Sequence, residues 1–284
     1  MRNIIRVHGV REVNKYRSDM LTLTYVYHSS FLLVTPGFSA LFDLWRDLPE
    51  VSPALRPIET VIPGDRPLYI FVSHHHKDHF SPRIFSFPSE GFDVRYILSS
   101  DTARFARKYI SPDSRYRGMK APAGSVTVMR EGDLHNDGEL TVRAFGSTDT
   151  GNSWLLEFGG RRLFHAGDLN AWIWKDESTP GEVAEAVESY RKILDGIAAA
   201  APSIDYCLFP VDSRIGTDYF TGAAMMVRAV DVRHFFPMHF ELADDEAGRL
   251  RRALDASAFD RYANPDRGDY IALLSPGASF AEHF

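Results

Sequence analysis

Apolar and polar residues alternate along the first third of the chain. LTLTYVY (21–27) shows this alternation, and FLLVT (31–35) follows it before the turn residues Pro36 and Gly37. A period of two is typical of half-buried strands, and Pro-Gly favours a turn. These segments, with SALFDLW (39–45) after them, therefore predict consecutive antiparallel strands.

Continuous apolar runs predict a second kind of strand. LYIFV (68–72) is short and wholly apolar, as expected for a strand covered on both faces. VRYILS (94–99) predicts another strand, and residues 101–108 predict a helix. Further strands are predicted for SVTVM (125–129), LTVRAF (140–145), SWLLEF (153–158) and RRLFHA (161–166), with Gly159 and Gly160 as a hairpin turn.

The strongest helix signal begins at residue 179. Thr179, Pro180 and Glu182 have the spacing of a capping box with proline at the first helical position. Apolar residues then recur at helical spacing up to Ile197, which indicates one buried face. The remaining pattern predicts strands at 206–211, 234–238 and 270–275 and helices at 221–230 and 246–256.

The order of these elements predicts the architecture. Two strand-rich blocks are each followed by helices, which favours an α/β (α+β) fold with sheets packed on one another and helices outside. The 284 residues fit one domain over 1–284, and 44% hydrophobic and 25% charged residues are typical of a globular protein. No internal repeat of short period or linker is visible.

Charge and cysteine content narrow the classes of function that the sequence allows. The net charge of −6 gives no support for a general nucleic-acid-binding surface, although a local basic groove is compatible with it. No apolar run reaches about 18 residues, and the charged N-terminal segment lacks a signal-peptide core, so we expect a cytoplasmic protein without a membrane span. The single cysteine, Cys207, lies in an apolar run and is predicted to be a buried small hydrophobe.

The segment FVSHHHKDHF (71–80) carries the densest candidate chemistry. His74 and His76 alternate with other residues, so in an extended segment both rings face the same side and can share one metal ion. Asp78 and His79 follow where the chain turns and can face a second ion. His75 and Lys77 are predicted to point elsewhere. Imidazole and carboxylate ligands together suit zinc, iron or manganese; the alternative is a solvated polar loop.

Three further candidate ligands each follow a strand-like segment. Asp149 follows LTVRAF, Asp168 follows RRLFHAG, and His239 follows HFFPM. Loops at one edge of a rigid sheet are common places for ligand sites. We therefore expect these residues to gather with the histidine cluster.

In these residues the chain resembles the hydrolases with the metallo-β-lactamase fold. Their H-x-H-x-D-H signature is matched by residues 74–79, their later aspartate by Asp168 and their final histidine by His239. The resemblance covers nearly the whole chain and implies a four-layer αββα sandwich. It also implies two divalent metal ions, with zinc as the first expectation and manganese or iron as alternatives. The stretch around His28 is similar to the ascorbate-phosphate lactonase branch.

One position departs from the family pattern. The family has a further histidine between its first motif and the aspartate, but no histidine lies between His135 and His165. Asp149 stands four residues before Ser153, where that ligand is expected, and we interpret it as an oxygen replacement. The alternatives are a turn in which Asp149 bonds its own backbone, or His135 as the ligand. His165 is predicted to be a packed histidine.

The resemblance implies two ligand sets that share Asp168. One ion takes His74, His76, Asp149 and Asp168, and the other takes Asp78, His79, His239 and Asp168. Asp78 is also the predicted catalytic residue, which orients the nucleophile.

Four other residues are predicted near the metals. His28 is a candidate substrate-binding residue, with a structural hydrogen-bonding role as the alternative. Asp43 is predicted to orient the ligands by hydrogen bonding. Trp172 is expected to form a wall of the substrate pocket or to cover a helix, together with Trp174. Arg214 is expected to bind an anionic group of the substrate or to pair with Asp212.

These features predict a binuclear metallo-hydrolase that acts on a small-molecule substrate. A metal-bridged hydroxide would cleave an ester, lactone or phosphodiester bond. The alternatives are an iron-dependent oxidoreductase on the same fold and a metal-binding protein that has lost catalysis. No membrane or nucleic-acid partner is expected.

Overall fold

The structure, a computed structural model, describes residues 19–116, 118–240 and 269–284. The chain divides into two compact units, one formed by Met1–Met129 with Leu273–Phe284 and the other by Arg130–Ala272. Each unit is built on one mixed sheet of seven strands. The single domain predicted for residues 1–284 stays a prediction.

The sheet of the first unit contains most of the strands predicted for the first third of the chain. Its strands are β1 (Met20–Tyr27), β2 (Ser30–Val34), β3 (Ser39–Phe42), β4 (Leu68–Val72), β5 (Val94–Ser99), β6 (Val126–Met129) and β14 (Ser279–His283). They lie in the order β14-β1-β2-β3-β4-β5-β6. The pairs from β14 to β3 are antiparallel, and those from β3 to β6 are parallel. All five residues of β4 are buried, as its continuous apolar run predicts.

Three short helices accompany this sheet: α1 (Leu48–Val51), α2 (Ser100–Phe105) and α3 (Arg107–Ile110). The single helix predicted for residues 101–108 is broken at Ala106, whose ψ of 0° departs from helical geometry. Ala106 and Tyr109 are both buried in the core. The break therefore turns α3 so that its aromatic residue packs inward.

The second unit repeats the change from antiparallel to parallel pairing. Its strands are β7 (Leu134–Asn136), β8 (Thr141–Phe145), β9 (Ser153–Phe158), β10 (Arg161–His165), β11 (Ser203–Pro210), β12 (Asp231–Met238) and β13 (Asp269–Tyr270). They lie in the order β13-β12-β11-β10-β9-β8-β7. Pairs from β7 to β10 are antiparallel and those from β10 to β13 are parallel.

Among the described residues of this unit, two longer helices are present, α4 (Pro180–Ala200) and α5 (Thr221–Ala229). The predicted capping box is present: the Thr179 hydroxyl accepts from the Glu182 amide at 3.3 Å, and the Glu182 carboxylate accepts from the Thr179 amide at 2.8 Å. Tyr190, Leu194 and Ile197 form the buried face. Within the described residues, no helix combines the length and the apolar character that crossing a membrane requires.

The closing part of the chain differs from the expectation. The strand predicted for residues 270–275 is limited to β13, because the chain leaves the second unit at Ala272 and enters the first at Leu273. There it forms β14, which was not predicted, against β1. The helix predicted for 246–256 lies outside the described residues.

Candidate metal centre

One edge of the first sheet gathers the histidine motif with two other predicted residues. Phe31 of β2 pairs with Phe42 of β3, and β3, β4 and β5 run parallel, so the β1–β2 turn and the ends of these strands share that edge. His28 lies in the turn, Asp43 follows β3, and residues 74–79 follow β4. The topology therefore brings together side chains that are far apart in sequence.

The motif histidines cluster as the spacing predicts. The rings of His74 and His76 have centroids 4.7 Å apart, and those of His74 and His79 lie 4.1 Å apart. His74 and His79 are fully buried, whereas His76 is exposed. His74 and His76 each offer a ligand atom, and these two atoms lie within 4.8 Å of each other. The ligand atoms of His28, Asp78 and His79 likewise lie within 4.8 Å of one another.

His28 is held close to Asp78. Its backbone amide donates to the Tyr25 hydroxyl at 2.8 Å, and its Nε2 lies 3.6 Å from Asp78 Oδ2. Burial raises the pKa of the Asp78 carboxyl, but the neighbouring His28 imidazole and the charge of His79 outweigh it, and the pKa lies well below its usual range. Asp78 is therefore ionised at neutral pH.

Asp43 is the centre of a buried hydrogen-bond network. Its Oδ1 accepts from the Ser73 amide at 2.7 Å, and its Oδ2 accepts from the Ser73 hydroxyl at 2.6 Å and from His79 Nδ1 at 2.8 Å. The Ser73 oxygen lies 3.0 Å from His74 Nδ1. Because the Ser73 hydroxyl donates to Asp43, its oxygen accepts from His74 Nδ1. Both histidines thus present Nε2 as their unprotonated nitrogen when they are neutral.

His75 points away from this network, as predicted. Both its amide and its Nδ1 donate to Asp101 Oδ2, at 3.0 and 2.9 Å. Its ring stacks on Phe105 with centroids 3.7 Å apart and an angle of 8° between the planes. Asp101, at the start of α2, therefore anchors the loop of residues 74–79 through His75. From the sequence, Asp101 was predicted only as part of a helix.

The second unit has a matching edge. Phe145 pairs with Ser153, and Trp154 pairs with His165, so the β8–β9 turn lies beside the end of β10. The parallel strands β11 and β12 end at the same edge. The residues that follow these elements are Asp149, Asp168, Asp212 and His239.

Asp168 and His239 meet at this edge. His239 Nε2 lies 3.1 Å from Asp168 Oδ1, and both side chains are buried. The Asp168 carbonyl accepts from Trp172 Nε1 at 2.7 Å. Thr148 Oγ1 donates to the Asn170 carbonyl at 2.6 Å and accepts from the Asn170 amide at 3.0 Å. These bonds fix the loop that carries Asp168.

Asp212 orients His239. Its Oδ2 accepts from His239 Nδ1 at 3.0 Å, and the same carboxylate accepts from Nε and Nη2 of Arg214. Burial raises the pKa of Asp212, but these hydrogen bonds outweigh it and bring the pKa to about 2. The pairing of Asp212 with Arg214 is the alternative predicted for Arg214, whereas the contact of Asp212 with His239 was not predicted. A substrate-binding role for Arg214 stays a prediction.

Asp149 lies in the bend between β8 and β9 and is exposed. Its amide donates to the Ser147 hydroxyl at 3.2 Å, and the Ser153 hydroxyl donates to the Gly146 carbonyl at 3.1 Å, which closes the loop. Asp149 offers a ligand atom within 4.8 Å of one on Asp168. Its identity as a ligand stays a prediction.

Trp172 borders a cavity of about 260 Å³ together with Thr148 and residues of α4. Its ring also meets that of His239 edge-on, with centroids 5.3 Å apart. It thus lies between helix α4 and the candidate centre, and its role as a pocket wall stays a prediction. Trp174 is 39% exposed.

The other weighed candidates lie elsewhere. His135 is in strand β7, and His165 is buried at the end of β10, where its Nδ1 accepts from the Gly167 amide at 3.2 Å. Cys207 is buried as predicted, and burial raises the pKa of its thiol.

Backbone conformation marks the same loops. Among the described non-glycine residues, positive φ angles occur at His28 (57°), Asp43 (42°), Trp172 (43°), Trp174 (20°), Asp218 (63°) and His239 (61°). Such conformations cost on the order of 1–3 kcal/mol each and persist only where the surrounding structure holds them, typically at functional sites. Five of the six were predicted for the site or its surroundings: His28, Asp43, Trp172, Trp174 and His239. Backbone strain therefore independently points to these loops as functional.

Comparison with known proteins identifies the family. Residues 22–184, more than half of the chain, match the family described as the Beta-lactamase superfamily domain. None of the curated proteins matches the chain.

Solved structures share the fold. The chain is similar to Igni18, a novel metallo hydrolase from Ignicoccus hospitalis (TM-score 0.61, 14% identity, 93% of this chain and 99% of that chain covered). It is also similar to YhfI from Bacillus subtilis, a metallo-beta-lactamase fold protein (TM-score 0.60, 10% identity, 93% of this chain and 100% of that chain covered). A third similar structure is that of CmlA from Streptomyces venezuelae, a diiron beta-hydroxylase (TM-score 0.58, 14% identity, 93% of this chain and 54% of that chain covered). At these identities the likeness shows the fold alone.

The two mixed sheets and their helices agree with the family match. They confirm the predicted fold class, the αββα sandwich of the metallo-β-lactamase type. The assignment to the lactonase branch stays a prediction. The chain belongs to the beta-lactamase superfamily.

Proposed function

We propose that the chain is a metal-dependent hydrolase that uses two divalent metal ions to cleave an ester, lactone or phosphodiester bond. One observation carries the proposal. Three of the proposed histidine ligands, His74, His79 and His239, each have Nδ1 hydrogen bonded to a neighbouring oxygen. Histidines that bind metal through Nε2 are usually oriented in this way, because the partner at Nδ1 fixes the tautomer and the direction of the ring.

The chemistry of the residues fits divalent ions. Asp43 and Asp212 are buried carboxylates that accept from His79 and His239, which raises the basicity of the opposite ring nitrogen. His239 Nε2 and Asp168 Oδ1 lie 3.1 Å apart. Two ligands of one tetrahedral zinc ion with bonds of about 2.0–2.1 Å would lie about 3.3 Å apart. The pair is thus already close to the spacing that a shared ion requires.

The ligand sets in this proposal follow the sequence resemblance. His74, His76, Asp149 and Asp168 would hold one ion, and Asp78, His79, His239 and Asp168 the other. Zinc is the first candidate because imidazole and carboxylate suit it, and a carboxylate in place of a histidine also accommodates manganese or iron. When bound, the ions lower the pKa of a water molecule and polarise the group that is attacked.

The protein's own residues would position the reactants. Asp78, ionised at neutral pH, would accept a hydrogen bond from the attacking water and orient its lone pair. His28, 3.6 Å from Asp78, would hold that carboxylate in place or contact the substrate. Trp172 would supply apolar surface beside the scissile bond.

Metal removal tests the proposal directly. The purified protein is expected to contain close to two metal ions per chain and to hydrolyse at least one member of a panel of esters, lactones and phosphodiesters. Dialysis against a chelator should abolish that activity, and added zinc, manganese or iron should restore it. Metal content is measured by plasma mass spectrometry and activity by product release. Full activity after complete metal removal would refute the proposal.

A second function is favoured by one comparison. The chain shares its fold with CmlA, a diiron beta-hydroxylase, and a carboxylate at position 149 would suit iron. Bound iron with turnover that consumes reductant, and no hydrolysis across the panel, would assign the chain to the oxidoreductases. Metal binding without turnover of either kind would indicate a binding protein that has lost catalysis.

Asp149 is proposed to complete the first metal site in place of the family's histidine. Asp149→Ala should lower the affinity of that site by about 10-fold or more, because a neutral methyl group supplies no ligand atom. Asp149→His should keep two ions and shift the preference towards zinc, since a histidine nitrogen sits at about 2.0–2.1 Å from zinc, much as a carboxylate oxygen does. Metal content and competition titrations measure both.

A neighbouring variant controls for the loop. His135→Ala removes the alternative imidazole from strand β7 and should leave both sites intact. If Asp149→Ala binds metal as tightly as the wild type while His135→Ala does not, His135 is the ligand. If neither variant changes the affinity, Asp149 is a turn residue.

A further inference from the structure

A basic segment stands out in this acidic chain. Residues 100–120 contain six lysine and arginine residues and two aspartates, although the whole chain carries a formal charge of −6. They belong to the first unit and include helices α2 and α3 and the turns that follow. None of these basic residues belongs to the predicted metal centre.

This segment lines an open surface groove of about 570 Å³. Its lining includes Phe105, Arg107, Lys108, Asp113, Arg115 and Tyr116, and serine hydroxyls complete it. The volume lies in the range of small-molecule sites, about 300–1,000 Å³. The groove is therefore large enough for a ligand of several rings or of one ring with a charged group.

Aromatic surface is exposed on this groove. Phe105 is 52% exposed and Tyr116 is 47% exposed, and both line the groove, so each presents ring surface to it. Phe105 is fixed from one side, because it stacks on His75 at 3.7 Å. A ring that is held rigidly loses little entropy when a ligand stacks against it.

The charged side chains of the groove differ in how they are engaged. Lys108 Nζ lies 5.3 Å from the centre of the Tyr116 ring. Within the described part of the chain, the ion pairs do not include Arg107, Arg115 or Asp113. Their charges are therefore not neutralised by each other, and the two guanidinium groups can bind a phosphate in bidentate fashion.

We propose that this groove binds a mononucleotide. The base would stack on Phe105 and Tyr116, the phosphate would bind Arg107, Lys108 and Arg115, and the Asp113 carboxylate would accept from the ribose hydroxyls. Proteins commonly hold single-stranded nucleic acids by stacking their bases on aromatic rings and by arginine contacts, and the same contacts suit one nucleotide. An acidic residue is the usual partner of ribose hydroxyls.

A mononucleotide fits the groove better than a single-stranded RNA. Sites for single strands track about 4–16 nucleotides along a positively charged groove, whereas this open groove has a volume of only about 570 Å³ and an aspartate in its lining. Asp113 would repel a continuous phosphate backbone but would suit one ribose. Adenosine 5′-monophosphate (AMP) is therefore the appropriate probe.

The groove also adjoins the loop of the histidine motif (residues 74–79), through the contact of Phe105 with His75. A nucleotide in it would lie beside the loop that carries the proposed ligands His74 and His76. The binding proposal does not rest on the proposed hydrolase activity, because it concerns residues outside the ligand sets.

The test is a calorimetric titration of the purified full-length protein with AMP. AMP is expected to bind, while adenosine and ribose 5-phosphate bind at least about 10-fold more weakly, since each lacks one of the two contacts. Phe105→Ala and Arg115→Gln should each weaken AMP binding by about 10-fold or more. Arg191→Gln, at an exposed arginine of α4 that pairs with Glu188, should bind AMP as the wild type does.

Several results would overturn the proposal. The proposal is wrong if the wild type does not bind AMP. It is also wrong if Phe105→Ala and Arg115→Gln bind AMP as tightly as the wild type does. An adenosine hexanucleotide that binds much more tightly than AMP and with steep salt dependence would assign the groove to RNA instead. Binding of vesicles of phosphatidylcholine with phosphatidylserine, without binding of AMP, would assign it to a membrane surface. Asp168→Ala should bind AMP normally even if all hydrolysis is absent, so failure of either proposal is recognisable on its own.

Discussion

Replacing Asp168 with alanine is expected to lower turnover by more than about 100-fold and to reduce bound metal to one ion or fewer. In the proposed centre Asp168 would help to hold both ions, so its loss would affect both sites. Losing a residue that merely supports the ligands typically costs about 10–100-fold in metal affinity or activity, and loss of a shared ligand should cost more. Plasma mass spectrometry of the purified variant and product release from the best substrate measure the two effects.

The fold around Asp168 should survive this change. The loop is held by contacts of its backbone, from Trp172 Nε1 to the Asp168 carbonyl and between Thr148 and Asn170. None of these bonds uses the Asp168 carboxylate. The thermal transition of the variant, measured with metal removed from both proteins, is therefore expected to stay close to that of the wild type.

Asp195→Ala is the matched control, because Asp195 is an exposed aspartate of α4. It should keep full metal content and activity. Wild-type metal content and turnover in Asp168→Ala would show that Asp168 is not a ligand, and the correspondence with the family's aspartate would then be wrong.

Local spacing was enough to find the metal motif. His74, His76, Asp78 and His79 are close in sequence, and the strand before them is a continuous apolar run, so their clustering depends on few assumptions. The same holds for the capping box of α4, where one turn of helix contains all of the contacts. Patterns confined to a few residues were thus predictable.

Contacts made across a sheet edge were not predictable. Asp212 and His239 are 27 residues apart and meet only because β11 and β12 run parallel and end together. Asp101 lies 26 residues beyond His75 and was assigned to a helix alone. No local pattern marks either aspartate, since each would also suit a helix or turn. Strand β14 was missed because its partner, β1, is at the other end of the chain.

Asp43 is the supporting residue whose replacement should have the largest effect. Asp43→Asn keeps the size of the side chain but converts one acceptor oxygen into a donor. If the amide nitrogen takes the place of Oδ1, it faces the Ser73 amide, donor against donor. If it takes the place of Oδ2, it faces the Ser73 hydroxyl and His79 Nδ1. His79 can then relieve the clash only by moving its proton to Nε2, the nitrogen proposed to bind metal.

The substitution carries two costs, of which the second follows from the arrangement that removes the acceptor of His79 Nδ1. A buried hydrogen-bonding group left unsatisfied costs about 1–3 kcal/mol, so the free energy of unfolding of the metal-free protein should fall by that amount. Metal affinity and turnover should fall by about 10–100-fold, the usual effect of losing the partner of a metal-binding histidine. Denaturant titration measures the first cost, and metal competition with product release measures the second.

The tautomer of His79 separates a positioning role from a purely structural one. Nitrogen NMR of the metal-free wild type should show His79 protonated at Nδ1, and Asp43→Asn should shift the proton to Nε2 or mix the two forms. Asp65→Asn, at an exposed aspartate of the same unit bonded to Arg66, is the control and should change neither tautomer nor metal affinity. If Asp43→Asn loses stability but keeps the tautomer and the metal affinity of the wild type, Asp43 only holds the loop together through Ser73. The orientation of His79 would then have to come from the packing of its ring against His28 and His74.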